Sequence, residues 1–204
     1  MLYYILRFLV QPLYWLVRMP KVYGIKNTKA ILKGSAIVIC NHRTMKDPVF
    51  LACILPRFIH FMAKKELFDT WIGKWFFRGF LVFPVDRGND DMKSMKKAME
   101  VLKENRVFGI FPEGKRCVTD ETDAFEKGAA FLAIKAQVPI LPTYIPKDNF
   151  KLFKRPRLYI GDVITPEEYA FEGSKSAAIN RLTALFEERV DELRELAGDW
   201  YAKA

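Results

Sequence analysis

AIVICNHRTMKDPVFLACIL, residues 36–55, reads as a strand, a polar turn and a helix in direct succession. AIVIC (36–40) is an unbroken apolar run rich in β-branched side chains, the pattern of a strand buried on both faces. PVFLACIL (48–55) reads as a helix, and Asp47 directly before Pro48 is a strong helix-start signal: an acidic N-cap followed by proline at the first helical position. The polar turn NHRTMKD (41–47) lies between the two.

The same alternation continues downstream. RFIHFMA (57–63) predicts a strand, LFDTWIGKWFF a helical stretch, and FLVFPV (80–85) a short strand. DDMKSMKKAMEVLKEN (90–105) is a charged amphipathic helix and VFGIF (107–111) another buried strand. FEKGAAFLAIKAQ (125–137) is a helix, PILPTYI leads into a further strand, and RLYIGDVI (157–164) closes the sheet. SAAINRLTALFEERVDELRELAGDW (176–200) is a long amphipathic helix. Alternation of this kind predicts an α/β fold with a mostly parallel, mixed sheet flanked by helices. Ligands in such folds collect at the carboxyl ends of the strands. NHRTMKD and PEGKR each follow a buried strand directly, so both belong to one rim.

With 204 residues, half of them hydrophobic, the chain suffices for one domain with a full core. No internal repeat or Gly/Ser-rich linker divides it. The net charge of +9 is unevenly placed: no acidic residue precedes Asp47, while Arg7, Arg18, Lys21, Lys26, Lys29, Lys33, Arg43 and Lys46 are all basic. Acids gather late, from Glu167 to Glu195. That split suits a protein that lays its N-terminal end on an anionic membrane surface, and does not suit a nucleic-acid binder. Cys40, Cys53 and Cys117 are odd in number and lack metal-ligand spacing, as expected of buried free thiols rather than a disulfide framework.

LYYILRFLVQPLYWLVRM (2–19) is apolar and aromatic, yet Arg7, Gln11 and Pro12 fall inside it. A transmembrane span needs about 20 apolar residues, and a signal peptide ends in a small-residue cleavage site; this stretch has neither. Arg7, Gln11 and Arg18 share one face of a helical wheel, while Tyr3, Tyr4, Phe8 and Trp15 suit the boundary between headgroups and acyl chains. Residues 1–20 are therefore expected to form an interfacial helix, bent or broken near Pro12, ahead of a single domain over 21–204. The bland alternative is a helix packed on the protein's own core.

Only two histidines are present. His60, inside RFIHFM, reads as a sheet histidine. His42 lies in the polar turn, five residues before Asp47. Asp47 is read as both a helix cap and the carboxylate that fixes one imidazole nitrogen and leaves the other as a base, the bland alternative being a cap alone. Such a base, removing a proton from an attacking hydroxyl, contributes about two to four powers of ten in rate. In FPEGKR (111–116), Gly114 permits close backbone approach and Arg116 offers a planar fork suited to phosphate. Lys64 and Arg87 are further basic candidates at strand ends.

Together these stretches resemble the 1-acyl-sn-glycerol-3-phosphate acyltransferase family. NHRTMKD (41–47), GFLVFPVDRG (79–88), FPEGKR (111–116) and VPILP (138–142) stand in the family's order, supported by AKKELF (63–68) and FEKGA (125–129). The resemblance implies acyl transfer from acyl-CoA or acyl-carrier protein to lysophosphatidic acid, giving phosphatidic acid in phospholipid biosynthesis. It makes His42 the general base, oriented by Asp47. Lys64, Arg87 and Arg116 would hold the glycerol phosphate, Glu113 and Gly114 would shape that site, and Val138 to Pro142 would line a pocket. It implies no metal or bound cofactor, and peripheral or monotopic attachment at the cytoplasmic face of the cell membrane. Lys115 stands where the family usually has Thr, and Cys117 where Ser is common, which bears on acceptor preference. Two rival readings are the same chemistry on another acceptor, such as glycerol 3-phosphate or another lyso-lipid, and a non-catalytic membrane-binding module.

Overall fold

In the computed structural model all five residues of β2 (Ala36–Cys40) are buried, and this strand is the centre of the molecule. The structure describes residues 2–85, 91–116, 124–151, 154–170 and 173–198. In chain order the elements are α1 (Leu2–Ile5), a π-helical turn (Leu6–Val10), α2 (Gln11–Arg18), β1 (Lys21–Tyr23), a 3-10 segment (Ile25–Ile31) and β2. They continue with α3 (Asp47–Ile54), β3 (Ile59–Lys64), a 3-10 turn (Lys65–Phe68), α4 (Trp71–Gly79), β4 (Val82–Val85) and α5 (Asp91–Lys103). The last are β5 (Val107–Ile110), α6 (Gly128–Ala136), β6 (Ile140–Tyr144), β7 (Arg157–Ile160), α7 (Pro166–Tyr169) and α8 (Lys175–Leu196).

The sheet order is β1-β7-β6-β2-β5-β3-β4. The five strands from β6 to β4 run parallel, β7 is antiparallel to β6, and β1 is parallel to β7. The expected mixed, mostly parallel sheet is what forms. One detail differs: RLYIGDVI does not close the sheet, because β1 pairs outside it with Lys21 opposite Arg157. KVY is too short to show an alternating pattern, so the edge strand carried no sequence signal. Most other elements fall within a few residues of expectation, helix α6 starting three residues late at Gly128.

Side chains of successive strand residues point to opposite faces, and this parity sorts the core. Ile37 and Ile39 of β2, with Phe108 and Ile110 of β5, pack against α5, α6 and α8 through Ala98, Leu132, Phe186 and Val190. Val38 and Cys40, with Val107, Ile59 and Phe61, pack against α3 through Phe50, Leu51 and Ile54. Each such fully buried aliphatic or aromatic side chain contributes about 1.5–3 kcal/mol.

The N-terminal segment is turned inside out relative to a core helix. Arg7 donates to the carbonyls of Leu55 (2.7 Å) and Pro56, and Trp15 Nε1 donates to Cys53 O at 3.2 Å, both at the C-terminal end of α3. A guanidinium there answers the carbonyls that the helix leaves unpaired. Tyr3 is buried and its hydroxyl accepts from Ile59 N. By contrast Phe8 (68%), Leu9 (67%) and Leu16 (70%) are exposed. The π turn sits immediately before Pro12, whose missing N–H interrupts regular helical bonding. No helix among the described residues is long and apolar enough to cross a membrane.

Candidate active site

Helix α3, which follows β2, covers one face of the sheet, and α6, which follows neighbouring β5, covers the other. Chains leaving two adjacent parallel strands toward opposite faces open a crevice at the strands' carboxyl ends. The turn after β2 and the turn after β5 both enter that crevice, so the expected common rim is realised.

Asn41 ends β2 and fixes the first turn. Its Nδ2 donates to Ile145 O at 2.9 Å and its Oδ1 accepts from Ile145 N at 2.7 Å. The buried amide thus copies a strand residue and extends the β2–β6 ladder beyond Cys40. His42 comes next. Its parity with Val38 and Cys40 aims it to the α3 face, and α3 carries Asp47.

His42 Nδ1 lies 3.0 Å from Asp47 Oδ2. The same oxygen accepts from the N–H groups of Arg43 and Thr44, each at 2.7 Å. Asp47 Oδ1 accepts from the Thr44 hydroxyl at 2.9 Å. A fully buried carboxylate is therefore satisfied by two amides, a hydroxyl and an imidazole. Facing an acceptor, Nδ1 carries the proton and Nε2 the lone pair. The helix-cap reading of Asp47 does not hold. Helix α3 begins at Asp47 itself, Lys46 occupies the cap position without a side-chain cap, and the carboxylate points back into the turn.

From β5 the chain enters Phe111, Pro112, Glu113 and Gly114. The Phe111 ring stacks on His42 with centroids 4.1 Å apart, and Phe61 stacks on Phe111 at 5.8 Å. Phe61 itself crosses β5 above Gly109, where an added Cβ would meet its ring at 2.3 Å. A column of Gly109, Phe61 and Phe111 therefore supports the imidazole. Glu113 is buried, and its Oε2 accepts from His42 N at 2.8 Å. Gly114 has φ +69° and lets the Glu126 carboxylate lie where a side chain would stand.

Two of the basic candidates, Lys64 and Arg116, end or follow neighbouring parallel strands at the same rim and are exposed. Arg116 is exposed at the end of the β5 turn. Lys64 ends β3, 57% exposed, with Nζ 4.0 Å from Glu66 Oε1. Arg87 lies outside the described residues, as does Cys117. The stretch from Val138 to Pro142 leads into β6, which begins at Ile140, and the side chains of Val138, Ile140 and Leu141 belong to the two core layers rather than to a pocket. Asn41, Phe111, Phe61 and Gly109 had no sequence-based role. The one available signal was an amide following five apolar strand residues.

Cys40 and Cys53 are buried and free. Burial pushes the Cys40 thiol well up, and the Asp47 and Glu113 carboxylates push it further, so it supplies no thiolate nucleophile. His60 is level with Phe108, near the amino end of the sheet. Burial and then the Arg106 guanidinium hold its pKa below 6.5.

A family model described as Acyltransferase matches residues 19–146. The 1-acyl-sn-glycerol-3-phosphate acyltransferase of Bacillus subtilis (strain 168) is 36% identical over 182 residues, covering 86% of this chain and 87% of that protein. That of Streptococcus pneumoniae is 32% identical over 208 residues, 98% of this chain and 77% of the relative. In fold, the chain matches the crystal structure of the 1-acyl-sn-glycerophosphate (LPA) acyltransferase PlsC from Thermotoga maritima with a TM-score of 0.70. That match has 24% identity and covers 94% of this chain and 78% of the other. With a family model over more than half its length and relatives matched along most of both chains, the protein belongs to the 1-acyl-sn-glycerol-3-phosphate acyltransferase family and is an acyltransferase.

Proposed function

We propose that the protein acylates lysophosphatidic acid to phosphatidic acid, with His42 as general base and a thioester of coenzyme A or acyl-carrier protein as donor. The 3.0 Å pairing of His42 Nδ1 with buried Asp47 carries this reading, since it leaves Nε2 as the proton acceptor at the rim. The acceptor hydroxyl stands where a hydrolase would hold its serine. Its oxygen attacks the thioester carbonyl as its proton passes to Nε2, and Asp47 stabilises the imidazolium. Collapse of the tetrahedral species forms the ester, breaks the C–S bond and returns the proton to the departing sulfur.

Lys64, Arg87 and Arg116 are assigned to the acceptor's phosphate, which suits a bidentate guanidinium and a point-charge ammonium. Glu113 and Gly114 are assigned to shaping that site. Binding there, away from the reacting carbon, positions the hydroxyl and lowers the barrier. Residues 1–20 serve as a peripheral membrane segment on the cytoplasmic face and 21–204 as the catalytic domain. The outward Phe8, Leu9 and Leu16 support that assignment.

The test is His42→Gln, assayed by mass spectrometry with lysophosphatidic acid and each donor. Transfer should fall by about two to four powers of ten while the circular dichroism spectrum is unchanged. Activity within tenfold of the parent would remove His42 as the base. Running glycerol 3-phosphate and other lyso-lipids beside lysophosphatidic acid tests the acceptor.

A further inference from the structure

Helix α4 has no buried residue. Trp71 (81%), Ile72 (67%), Trp75 (59%) and Phe76 (41%) are all exposed. The pairs 71/75 and 72/76 repeat at four residues, so the four side chains form one stripe. A folded chain does not ordinarily leave two tryptophans and a phenylalanine in water side by side. The helix is nevertheless well anchored. Thr70 caps it by accepting from Gly73 N at 3.0 Å, and Phe77 packs on Phe68 at 5.2 Å. Its exposed face is therefore a feature of a formed helix.

Two neighbours say what covers that face. Phe80, directly after α4, packs on Phe76 at 4.7 Å and on Tyr3 of α1 at 6.1 Å. The stripe is thus joined to the N-terminal segment, which carries its own outward Tyr4, Phe8 and Leu9. Helix α4 itself carries Lys74 and Arg78 and no acid, Asp69 standing just before its cap, and no acid precedes Asp47. Lys74 and Arg78, four residues apart, are both exposed.

We propose that α4 is a second membrane-inserting element, seated with the N-terminal segment in the interface of an anionic bilayer. The inference rests on the membrane attachment proposed above and extends it to a segment far along the chain. Trp71 and Trp75 take the position between headgroups and acyl chains that indole rings favour. Lys74 and Arg78 extend their heads to lipid phosphates. An acidic protein partner would call for a mainly basic face, whereas this stripe is made of two indoles, an isoleucine and a phenylalanine. Because α4 follows Lys64 by way of the 3-10 turn Lys65–Phe68, its insertion brings the β3 end of the site to headgroup depth. The catalytic rim is then held on both flanks, by α4 at β3 and by α2 beside α3.

The chain has four tryptophans, which permits a site-specific test. Variants that keep only Trp71 or only Trp75, the others changed to Phe, are mixed with phosphatidylglycerol-containing vesicles bearing brominated acyl chains. Both residues should shift to the blue and be quenched. The double variant Trp71→Glu/Trp75→Glu should keep its thermal unfolding midpoint, partition about tenfold or more weakly, and retain turnover of a monomeric short-chain acceptor. Vesicle binding with both tryptophans unquenched would overturn the α4 assignment and leave the N-terminal one standing. Failure to bind any vesicle would overturn both. A blue-shifted Trp75 in vesicle-free buffer, together with a dimer in solution, would assign the face to a second copy and also refute the proposal.

Discussion

Glu113 reaches His42 through the main chain: its Oε2 accepts the His42 N–H at 2.8 Å and so ties the turn after β5 to the turn after β2. A carboxylate used in this way fixes the backbone that carries the proposed base. Glu113→Ala should cost about 1–3 kcal/mol by leaving a buried N–H unpaired, and should lower kcat more than it raises KM for the acceptor. Glu113→Gln keeps an accepting oxygen and should restore most of both. Steady-state kinetics with chemical denaturation measures the split. A large rise in KM at constant kcat would instead put Glu113 on the substrate.

Asp47→Asn separates charge from shape. An amide oxygen can occupy the place of Oδ2 while its NH2 turns to the Thr44 hydroxyl, so the fold should survive. What is lost is the negative charge beside the imidazolium. The expected fall in kcat is about two to four powers of ten with little change in acceptor KM, read by kinetics on protein of verified circular dichroism.

Gly109→Ala acts from beneath the site. The new methyl would stand 2.3 Å from the Phe61 ring, which must move and take Phe111 with it. Overpacking of this kind costs about 1–3 kcal/mol. The distinguishing result is a loss of kcat beyond what the folded fraction explains. A companion Phe61→Leu, which makes room, should recover stability while leaving His42 less well supported.

His60 predicts a pH dependence of stability unrelated to catalysis. Its folded pKa lies below 6.5, so between the two values the unfolded chain binds the extra proton. Its contribution to stability is present above pH 6.5 and is lost as pH falls through the folded value. Denaturation midpoints should therefore decline below pH 6.5, and His60→Gln should flatten that decline. An identical slope in the variant would assign the effect to carboxylates.

The α/β architecture was legible because β2, β5 and β6 are buried on both faces and appear as apolar runs. The pairing of His42 with Asp47 was legible as a spacing, but the direction of the carboxylate was not. Asp before Pro reads as a cap, and only the folded turn shows two amides and a hydroxyl drawing it backward. The supporting column was hidden for another reason. Gly109, Phe61 and Phe111 come from two strands, and their contact depends on β3 lying next to β5, a matter of sheet order rather than local pattern. The three-residue β1 had too little sequence to announce itself. The inverted N-terminal helix was half visible: the wheel placed Arg7 on a polar face, and the fold turned that face toward the protein.

On the membrane attachment proposed above, that inversion would govern how the enzyme meets its acceptor. With Arg7 turned in and Phe8, Leu9 and Leu16 turned out, the segment would then find its complement in a bilayer. A catalyst seated this way searches in two dimensions. Its rate should follow the mole fraction of lyso-lipid in the surface, and diluting the acceptor with inert phospholipid should slow turnover even at constant total concentration.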